Sequence, residues 1–168
     1  MKRVAVVGPG GAGKSTLARE LGHRTGIPVI HLDQHHWKPG WVATLPEEWR
    51  AAQSDLLAAD AWIIDGNYGG TFDVRFARAD TVIVLALPRF RCVARALRRI
   101  VLHHGRAIQA AGCPERLDLE FLRWVWRYPR DSRPHLDAAL DRYRANLRVI
   151  KLSSPGEVDD FLRKVGGE

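Results

Sequence analysis

The chain has 168 residues, of which 46% are hydrophobic and 27% are charged, values that exclude a disordered or collagen-like protein. This length predicts a single domain over residues 1–168, and the longest uninterrupted apolar run, residues 82–87, is far too short to cross a membrane. The formal net charge of +7 arises from 26 basic and 19 acidic residues and favours an anionic partner.

The first part of the chain alternates between strand and helix patterns. Residues 2–8 form a short β-branched run that ends in glycine, which predicts a buried strand. Residues 14–25 predict a helix, because Leu17 and Leu21 recur on one side of it. A second strand is predicted at residues 27–32.

The next segment is predicted to be a loop followed by one helix. Residues 33–44 are expected to be irregular, because the Lys-Pro-Gly triplet at 38–40 is a turn signal. The spacing of Thr44 and Glu47 predicts a capping box, in which each side chain bonds the other's backbone N–H. This box would open a helix that ends near residue 60.

The middle of the chain contains the strongest strand signal. A third strand is predicted at residues 62–65, and a glycine-rich loop follows at 66–71. Residues 80–87 are continuously apolar after the first two positions and predict a fourth, buried strand. A helix is then expected over residues 88–104, followed by a Gly- and Pro-containing connection at 105–114.

The last part of the chain completes an alternating pattern. Helices are predicted at residues 117–128 and 134–146, and a fifth strand at 147–152. A capping box at 154–157 would open a terminal helix that ends at residues 166–167. Five strands with intervening helices and no internal repeat predict an α/β fold with a mainly parallel sheet.

A phosphate-binding motif joins the first strand to the first helix. Residues 8–16 read GPGGAGKST and match G-x-x-x-x-G-K-[ST] in the strand–loop–helix context that the motif requires. Glycines allow backbone N–H groups to surround phosphate oxygens, and the helix N-terminus adds partial positive charge. The motif predicts binding of a nucleoside triphosphate such as ATP by Gly8, Gly10, Gly11, Ala12, Gly13, Lys14, Ser15 and Thr16. Lys14 would reach the β- and γ-phosphates, and the Ser15 hydroxyl would bind Mg²⁺.

Two aspartates lie where predicted buried strands end. Asp33 follows the second strand and Asp65 closes the third, so both belong at the sheet edge where ligands bind in such folds. A carboxylate there can hold Mg²⁺ or accept the proton of an acceptor hydroxyl. We assign Asp65 to the metal and Asp33 to the acceptor, although the two roles could be exchanged; loop capping is the structural alternative.

Histidines flank Asp33 and raise the question of a zinc site. His31, His35 and His36 have no cysteine beside them, and Cys113 has no CxxC partner. Polar lining of an acceptor pocket is therefore the favoured role of these histidines. Two cysteines that are 21 positions apart give no disulfide framework, and the N-terminus lacks the pattern of a signal peptide. A cytoplasmic location is expected.

The excess positive charge lies in residues 89–148, which contain 14 arginines, no lysine and 6 acidic residues. Arginine offers a planar fork of donors that suits phosphate oxygens. Two helical stripes carry eight of these arginines, namely Arg91, Arg95, Arg98 and Arg99 on one helix and Arg116, Arg123, Arg127 and Arg130 on the next. Phosphoryl transfer requires cations and exclusion of water, which arginines on a closing lid would supply; a solvated basic surface is the alternative.

The same region contains an aromatic stripe. Phe121, Trp124, Val125 and Tyr128 recur at helical spacing and are predicted to be core residues rather than a platform for stacking bases. Trp126 falls off that stripe, and the pattern assigns it no role.

The segments GPGGAGKST, HLD, WKPGW, WIIDGNYGGT, ADTVIVLALPR and GCPERLDLEFLRWVWRYPRDSRP resemble the adenylate-kinase-related P-loop proteins of the DNA topology modulation (FlaR-type) family. The resemblance covers essentially the whole chain. It implies the nucleoside monophosphate kinase fold, with an acceptor-binding insertion at residues 33–61 and an arginine-rich lid at about residues 100–133. It also implies that Asp65-Gly66 is the Asp-Gly pair before the acceptor segment, that Arg95 with Arg99 or Arg98 opens the lid, and that Arg130 and Arg133 close on the phosphates.

The sequence departs from adenylate kinases at two places. Ser15-Thr16 stands where adenylate kinases carry Gly-Thr, and Asn67-Tyr68-Gly69 replaces their Phe-Pro-Arg. In adenylate kinases the arginine of Phe-Pro-Arg binds the phosphate of the acceptor, so its absence argues against AMP as the acceptor. Ser15 and the Asp33 loop are closer to small-molecule kinases such as those for shikimate or gluconate.

Three functions fit the sequence. The favoured one is a Mg·ATP-dependent phosphotransferase that acts on a small-molecule acceptor. The second is a nucleic-acid-associated regulator that uses ATP as a ligand, although no DNA-reading motif is visible. The third is a P-loop interaction protein without turnover. No membrane partner is expected.

Overall fold

A computed structural model describes residues 1–165 of the chain. The strands are β1 (Arg3–Val7), β2 (Val29–His31), β3 (Trp37–Lys38), β4 (Val42–Ala43), β5 (Trp62–Asp65), β6 (Thr81–Leu85) and β7 (Arg148–Leu152). The helices are α1 (Lys14–Thr25), α2 (Leu32–His36), α3 (Pro46–Leu56), α4 (Phe72–Phe76), α5 (Arg89–His103), α6 (Leu119–Asp131), α7 (Arg133–Arg142) and α8 (Pro155–Val165). A short 3-10 turn, Gly69–Thr71, precedes α4.

The centre of the fold is a five-stranded sheet in the order β2-β5-β1-β6-β7, with all neighbouring pairs parallel. A second sheet consists of the antiparallel hairpin β3–β4. The predicted α/β fold with helices flanking a five-stranded parallel sheet is therefore confirmed. Because all five strands run in one direction, their carboxyl ends meet at one edge, and every loop that follows them begins there.

Both faces of the sheet are covered by helices, as a parallel sheet requires. Side chains alternate along β1, so that Ala5 and Val7 face a cluster with α3, α4 and α7, while Val4 and Val6 face α1, α5, α6 and α8. These four side chains are fully buried. The sheet is thus a rigid support for the loops at its carboxyl edge.

The segment after β2 differs from the sequence-based expectation. Residues 33–44 were predicted to be irregular, but they contain the short helix α2 and the hairpin β3–β4. The predicted capping box is wrong, because the Thr44 hydroxyl donates a hydrogen bond of 2.7 Å to the carbonyl of His36. Helix α3 begins after Leu45 without a side-chain cap. Thr44 therefore closes the hairpin instead of opening the helix.

Two more helix boundaries follow from local chemistry. Helix α6 begins at Leu119 because the Asp118 carboxylate accepts the backbone N–H of Phe121 at 2.9 Å, and the helix continues through Pro129. At the start of α8 the predicted cap is present, since the Glu157 N–H donates to the Ser154 hydroxyl at 3.2 Å. The predicted end of that helix at residues 166–167 lies outside the described residues. Within residues 1–165, no helix is long and apolar enough to cross a membrane.

Candidate active site

The phosphate-binding motif forms a glycine-dependent loop between β1 and α1. Gly8, Gly11 and Gly13 have φ angles of 147°, 74° and 96°, which lie in a region that other residues avoid. A Cβ atom added to Gly11 would lie 2.1 Å from the Cys92 carbonyl oxygen of α5. The backbone of this loop is therefore fixed both by its own dihedral angles and by close contact with α5.

Helix α6 packs against the same loop. A Cβ atom added to Gly10 would lie 2.6 Å from the Phe121 ring and 2.9 Å from a Val125 methyl group. Val125 and Tyr128 are buried, as predicted for core residues, whereas Phe121 and Trp124 are half-buried and line the cleft described below. Trp126 is exposed, and the guanidinium of Arg89 lies over its ring, 4.2 Å from the ring centroid.

Lys14 lies at the head of α1. Its ammonium group donates a hydrogen bond of 2.9 Å to the Pro9 carbonyl across the loop. Burial is the largest influence on this group and lowers the pKa of Lys14, while the nearby carboxylates of Asp33 and Asp65 act in the opposite direction. The side chain is thus folded over the loop that it belongs to, close to two acidic groups.

Ser15, Asp65 and His31 form a hydrogen-bonded chain beneath the loop. The Ser15 hydroxyl donates to Asp65 Oδ2 at 2.5 Å, and His31 Nδ1 lies 2.6 Å from Asp65 Oδ1. Asp65 is only 3% exposed. His31 and Asp65 are register partners on β2 and β5, so the sheet itself brings them together. The hydrogen bond to Asp65 raises the pKa of His31, and partial burial opposes this.

Asp33 lies on α2, directly after β2, and Tyr68 approaches it from the loop after β5. The Tyr68 hydroxyl donates a hydrogen bond to Asp33 Oδ1. Burial is the main cause that raises the pKa of Tyr68, and the negative charge of Asp33 adds to it. Tyr68 therefore stays protonated and keeps donating to Asp33 throughout the neutral pH range.

Arg75 organises the loop that carries Tyr68, and sequence reasoning missed it. Its guanidinium is fully buried and donates to the carbonyls of Gly66, Asn67 and Tyr68 at 2.7, 2.7 and 2.8 Å. Burial lowers the pKa of Arg75 to about 9. The available signal was an arginine between the apolar residues of FDVRF, directly after a glycine-rich loop.

A single cleft of about 1620 Å³ brings most of the candidate residues together. The residues from our sequence-based assignment that line it are Gly10, Gly11, Ala12, Gly13, Lys14, Ser15, Thr16, Asp33, Arg95 and Arg99. Asp65 lies beneath Ser15, and Gly8 is buried where β1 ends. Arg99 forms an ion pair of 3.3 Å with the buried Glu115, whereas Arg98 is exposed and does not line the cleft.

Two further arginines lie elsewhere. Arg133 pairs with Asp137 at 2.7 Å and lines a separate cavity of about 120 Å³ beside Pro9. Arg130 is exposed near the end of α6 and lines neither cavity.

The histidines do not converge on a common point. His35 is exposed, and the His36 ring packs against Trp49 and Tyr68, with ring centroids 4.7 Å apart in both pairs. In the described part of the chain, no three His, Cys, Asp or Glu side chains are grouped so that they could hold a metal ion.

The hairpin β3–β4 contacts the segment that joins α5 to α6, residues 104–118, which we call the connecting segment. The Gly40 N–H donates to the Gly112 carbonyl at 2.8 Å, and Trp41 Nε1 donates to the Pro114 carbonyl at 2.9 Å. The Cys113 thiol also lies 3.2 Å from the carbonyl of Lys38. Residues of both the hairpin and the connecting segment line the cleft.

Comparisons with known proteins identify the fold. No protein-family model matches the chain, and no curated protein matches its sequence. Shikimate kinase from Acinetobacter baumannii, solved in complex with shikimate, is 19% identical, with a TM-score of 0.58 over 98% of this chain and 90% of that chain. A “putative kinase” from Chloroflexus aurantiacus J-10-fl is 16% identical, with a TM-score of 0.55 over 98% of this chain and 97% of that one. The chain has the P-loop kinase fold.

Proposed function

We propose that this protein is a phosphotransferase that moves the γ-phosphate of Mg·ATP to a small-molecule acceptor. One observation carries the proposal: Lys14, Ser15, Asp33, Arg95 and Arg99 line the same cleft, at the edge where the parallel strands end. A phosphate loop, a carboxylate and two arginines are the parts that phosphoryl transfer requires.

The phosphate loop and α1 would bind the nucleotide. The N–H groups of residues 10–16 point toward phosphates in loops of this kind, and Lys14 would leave Pro9 to reach the β- and γ-phosphates. Ser15 and Asp65 suit Mg²⁺, because a hydroxyl and a carboxylate are hard oxygen ligands and these two lie 2.5 Å apart. Bound Mg²⁺ would neutralise charge on the phosphates. The hydrogen bond between Ser15 and Asp65 supports Asp65 rather than Asp33 as the metal-side carboxylate.

Asp33 would act on the acceptor. It lines the cleft, and the Tyr68 hydroxyl occupies only one of its oxygens. Its second oxygen can accept the proton of an acceptor hydroxyl as that hydroxyl attacks the γ-phosphorus. ADP then leaves with the electron pair of the broken bond. Tyr68 would orient the carboxylate for this step.

Arginines would stabilise the transferring group. Arg95 and Arg99 already line the cleft and would contact the phosphates directly. The lid, at about residues 100–133, includes the connecting segment and α6. Arg130 and Arg133 would take part by turning inward when nucleotide binds, and Arg133 would exchange Asp137 for a phosphate oxygen.

The experiment is ADP release from Mg·ATP with a panel of acceptors: nucleosides, nucleoside monophosphates, sugars and hydroxy acids. Lys14→Ala serves as the blank, because it removes the phosphate-binding ammonium. An acceptor that raises Lys14-dependent ADP release well above the acceptor-free rate supports the proposal. ATP binding without turnover on any acceptor contradicts it.

A second candidate function is a nucleic-acid-associated regulator that binds ATP. Arg98, Arg123 and Arg130 are exposed and do not line the cleft, which leaves them available to backbone phosphates. DNA affinity that falls steeply with salt, by about one logarithmic unit of slope per phosphate contacted, would favour this function. Affinity that is absent at low salt would rule it out.

A further inference from the structure

Four aromatic residues from the segments that follow β2 and β5 line part of the cleft and form an aromatic wall. It is formed by Trp37 and Trp41 of the hairpin region, Tyr68 of the loop after β5, and Phe72 of α4. The rings of Trp37 and Trp41 lie 5.6 Å apart at 70° to each other. Trp37, Trp41 and Tyr68 are half-buried, so part of each ring faces the cleft. We call these four residues the aromatic wall.

Two residues of this wall have strained backbones. Within residues 1–165, Trp41 and Tyr68 are the non-glycine residues with positive φ, at 63° and 28°. Bulky residues avoid this region, and exceptions persist where the surrounding structure holds them in place. Arg75 holds the Tyr68 carbonyl, and the Pro114 carbonyl holds the Trp41 ring. The backbone of Tyr68 and the ring of Trp41 are therefore held in place, and both residues line the cleft.

The basic side chains near the aromatic wall are paired with other groups of the protein. The basic side chains of residues 32–79, a fully described range, are Lys38, Arg50, Arg75 and Arg78. Lys38 pairs with Glu48, Arg50 with Asp73, and Arg75 and Arg78 donate to backbone carbonyls. None of the four lines the cleft, whereas Asp33 does. Residues 32–79 therefore bring no positive side chain to the aromatic wall.

The cations that line the cleft belong to other elements. They are Lys14, Arg19, Arg95, Arg99 and Arg116, on α1, α5 and the connecting segment. In the proposed function Lys14, Arg95 and Arg99 face the triphosphate, which leaves Arg19 and Arg116. Arg19 lies near enough to His31 to oppose the rise in the pKa of that residue. An anionic acceptor would have to use Arg19 or Arg116, which are exposed side chains, because residues 32–79 offer it no cation.

An acceptor with a phosphate or carboxylate group would lose its hydration beside Asp33 without a fixed cation in return, which is unfavourable. A flat or apolar ring face would gain contact area on the tryptophans. Resting on the proposed function, we infer that the acceptor is an uncharged, ring-bearing hydroxyl compound, such as a nucleoside or a cyclic sugar. Its ring packs on the aromatic wall, and its hydroxyl lies at Asp33.

The transfer balances without a further reactant. The acceptor oxygen forms a bond to the γ-phosphorus, the bond from that phosphorus to the bridging oxygen of ADP breaks, and the hydroxyl proton passes to Asp33. The products are ADP and the phosphorylated acceptor.

The test compares matched acceptor pairs: a nucleoside against its 5′-monophosphate, and a cyclic sugar against the corresponding sugar acid. We measure Lys14-dependent ADP release and, separately, binding by quenching of tryptophan fluorescence without ATP. The uncharged member of at least one pair should give a kcat/KM at least about tenfold above that of its anionic partner. A preference for the anionic members would overturn the inference and still support a kinase, and its loss in Arg19→Gln or Arg116→Gln would show which cation holds the anion.

Variants of the wall give an independent readout. Trp37→Ala should raise the KM of the uncharged acceptor about tenfold and change the KM of ATP little, and Trp37→Phe should restore much of the loss. Trp126→Ala is the matched control, because Trp126 lies on the outer side of α6 against Arg89. Equal effects of Trp37→Ala and Trp126→Ala would overturn the inference.

The two failures are distinguishable. Binding of uncharged ring compounds that depends on Trp37, without turnover of any acceptor, would support the aromatic site and contradict the proposed function. Turnover that is unchanged in Trp37→Ala would support the kinase and contradict the aromatic site. If the protein neither binds these compounds nor turns over any acceptor, both the aromatic site and the proposed function are contradicted.

Discussion

At the scale of single residues, the most consequential side chain is one that does not line the cleft. Arg75 is fully buried and donates to three successive carbonyls of the loop after β5. That loop carries Tyr68, which in turn holds Asp33. Arg75 therefore acts as a positioning residue, through the backbone of its neighbours, on a group that touches the acceptor in the proposed function.

Replacing Arg75 with Met should lower the free energy of unfolding by about 3 kcal/mol, because one buried and two partly buried carbonyls lose their donor. Urea unfolding followed by circular dichroism measures this loss. Arg78→Met is the control, since Arg78 is exposed and makes one long contact of 3.4 Å with the Ala58 carbonyl. A loss at Arg75 no larger than the loss at Arg78 would show that the three contacts do not stabilise the loop.

His31 gives the stability a defined pH dependence. Its pKa is raised in the folded protein by the hydrogen bond to Asp65, so its contribution is fully present below its unfolded pKa of about 6.5. The contribution disappears as the pH rises through the higher, folded pKa. The stability difference between the original protein and His31→Gln should therefore be larger at pH 5.5 than at pH 8.5. Urea midpoints across that range test this, with the exposed His35→Gln as control; a difference that grows with pH would contradict the pairing.

Asp33→Asn should lower kcat at least about 100-fold while ATP affinity changes little, because the variant removes the proton acceptor and leaves the phosphate loop intact. Steady-state kinetics with the acceptor found in the panel provide kcat, and nucleotide titration provides the affinity. Asp55→Asn, an exposed change on α3, should behave like the original protein. An unchanged kcat in Asp33→Asn would exclude Asp33 as the base.

At the scale of secondary structure, α5 presents two adjacent arginines to different surroundings. Arg99 is held between Glu115 and the face of the Phe121 ring, whereas Arg98 is exposed. The helical spacing of the arginines in the sequence could not show which of the two faces the cleft, because both positions fit that spacing. The distinction comes from packing, since residues 96 and 100 on the same side of the helix are buried.

Arg99→Gln should lower kcat at least about tenfold, because it removes a cation that would stabilise charge on the transferring phosphate. Arg98→Gln should leave kcat within about twofold, and it is the matched control one position away. Both variants are compared by ADP release at saturating ATP. Equal effects of the two changes would remove the reason for assigning Arg99 rather than Arg98.

Elements with a strong local pattern were predictable, and the others were not. The phosphate loop, α1 and the buried strands β1, β5 and β6 follow from apolar runs and glycine positions in the sequence. Helices α2 and α4 have five residues each, too few to show helical periodicity. The hairpin β3–β4 has only two residues in each strand and is held by its contacts with the connecting segment, which are distant in sequence.

At the scale of the whole molecule, the fold and the position of the candidate site residues in it followed from the sequence, while the side-chain pairings did not. Asp33 and Asp65 were located at the correct edge of the sheet because parallel strands end together. Their partners, Tyr68 and Ser15, depend on how loops separated by 35 and 50 positions approach one another. No local sequence pattern indicates which distant loops lie close together in space. The role of Arg75 was missed for the same reason.

Binding of Mg·ATP should stabilise the entire domain. At a nucleotide concentration one hundred times the Kd, the free energy of unfolding should rise by about 2.7 kcal/mol, because only the folded chain binds. Thermal unfolding with and without Mg·ATP measures the effect. Lys14→Ala should lose most of it, and an equal shift in that variant would locate the nucleotide away from the phosphate loop.

The contacts between the hairpin β3–β4 and the connecting segment also have a consequence for how the two substrates bind. Two backbone carbonyls of the connecting segment accept hydrogen bonds from the hairpin, at Gly40 and Trp41. Movement of either part alone breaks these bonds, so the bonds favour movement of the hairpin and the connecting segment as one unit. In the proposed function, a change that opens the cleft on the acceptor side would therefore also be felt at the lid arginines, and binding of one substrate would influence binding of the other.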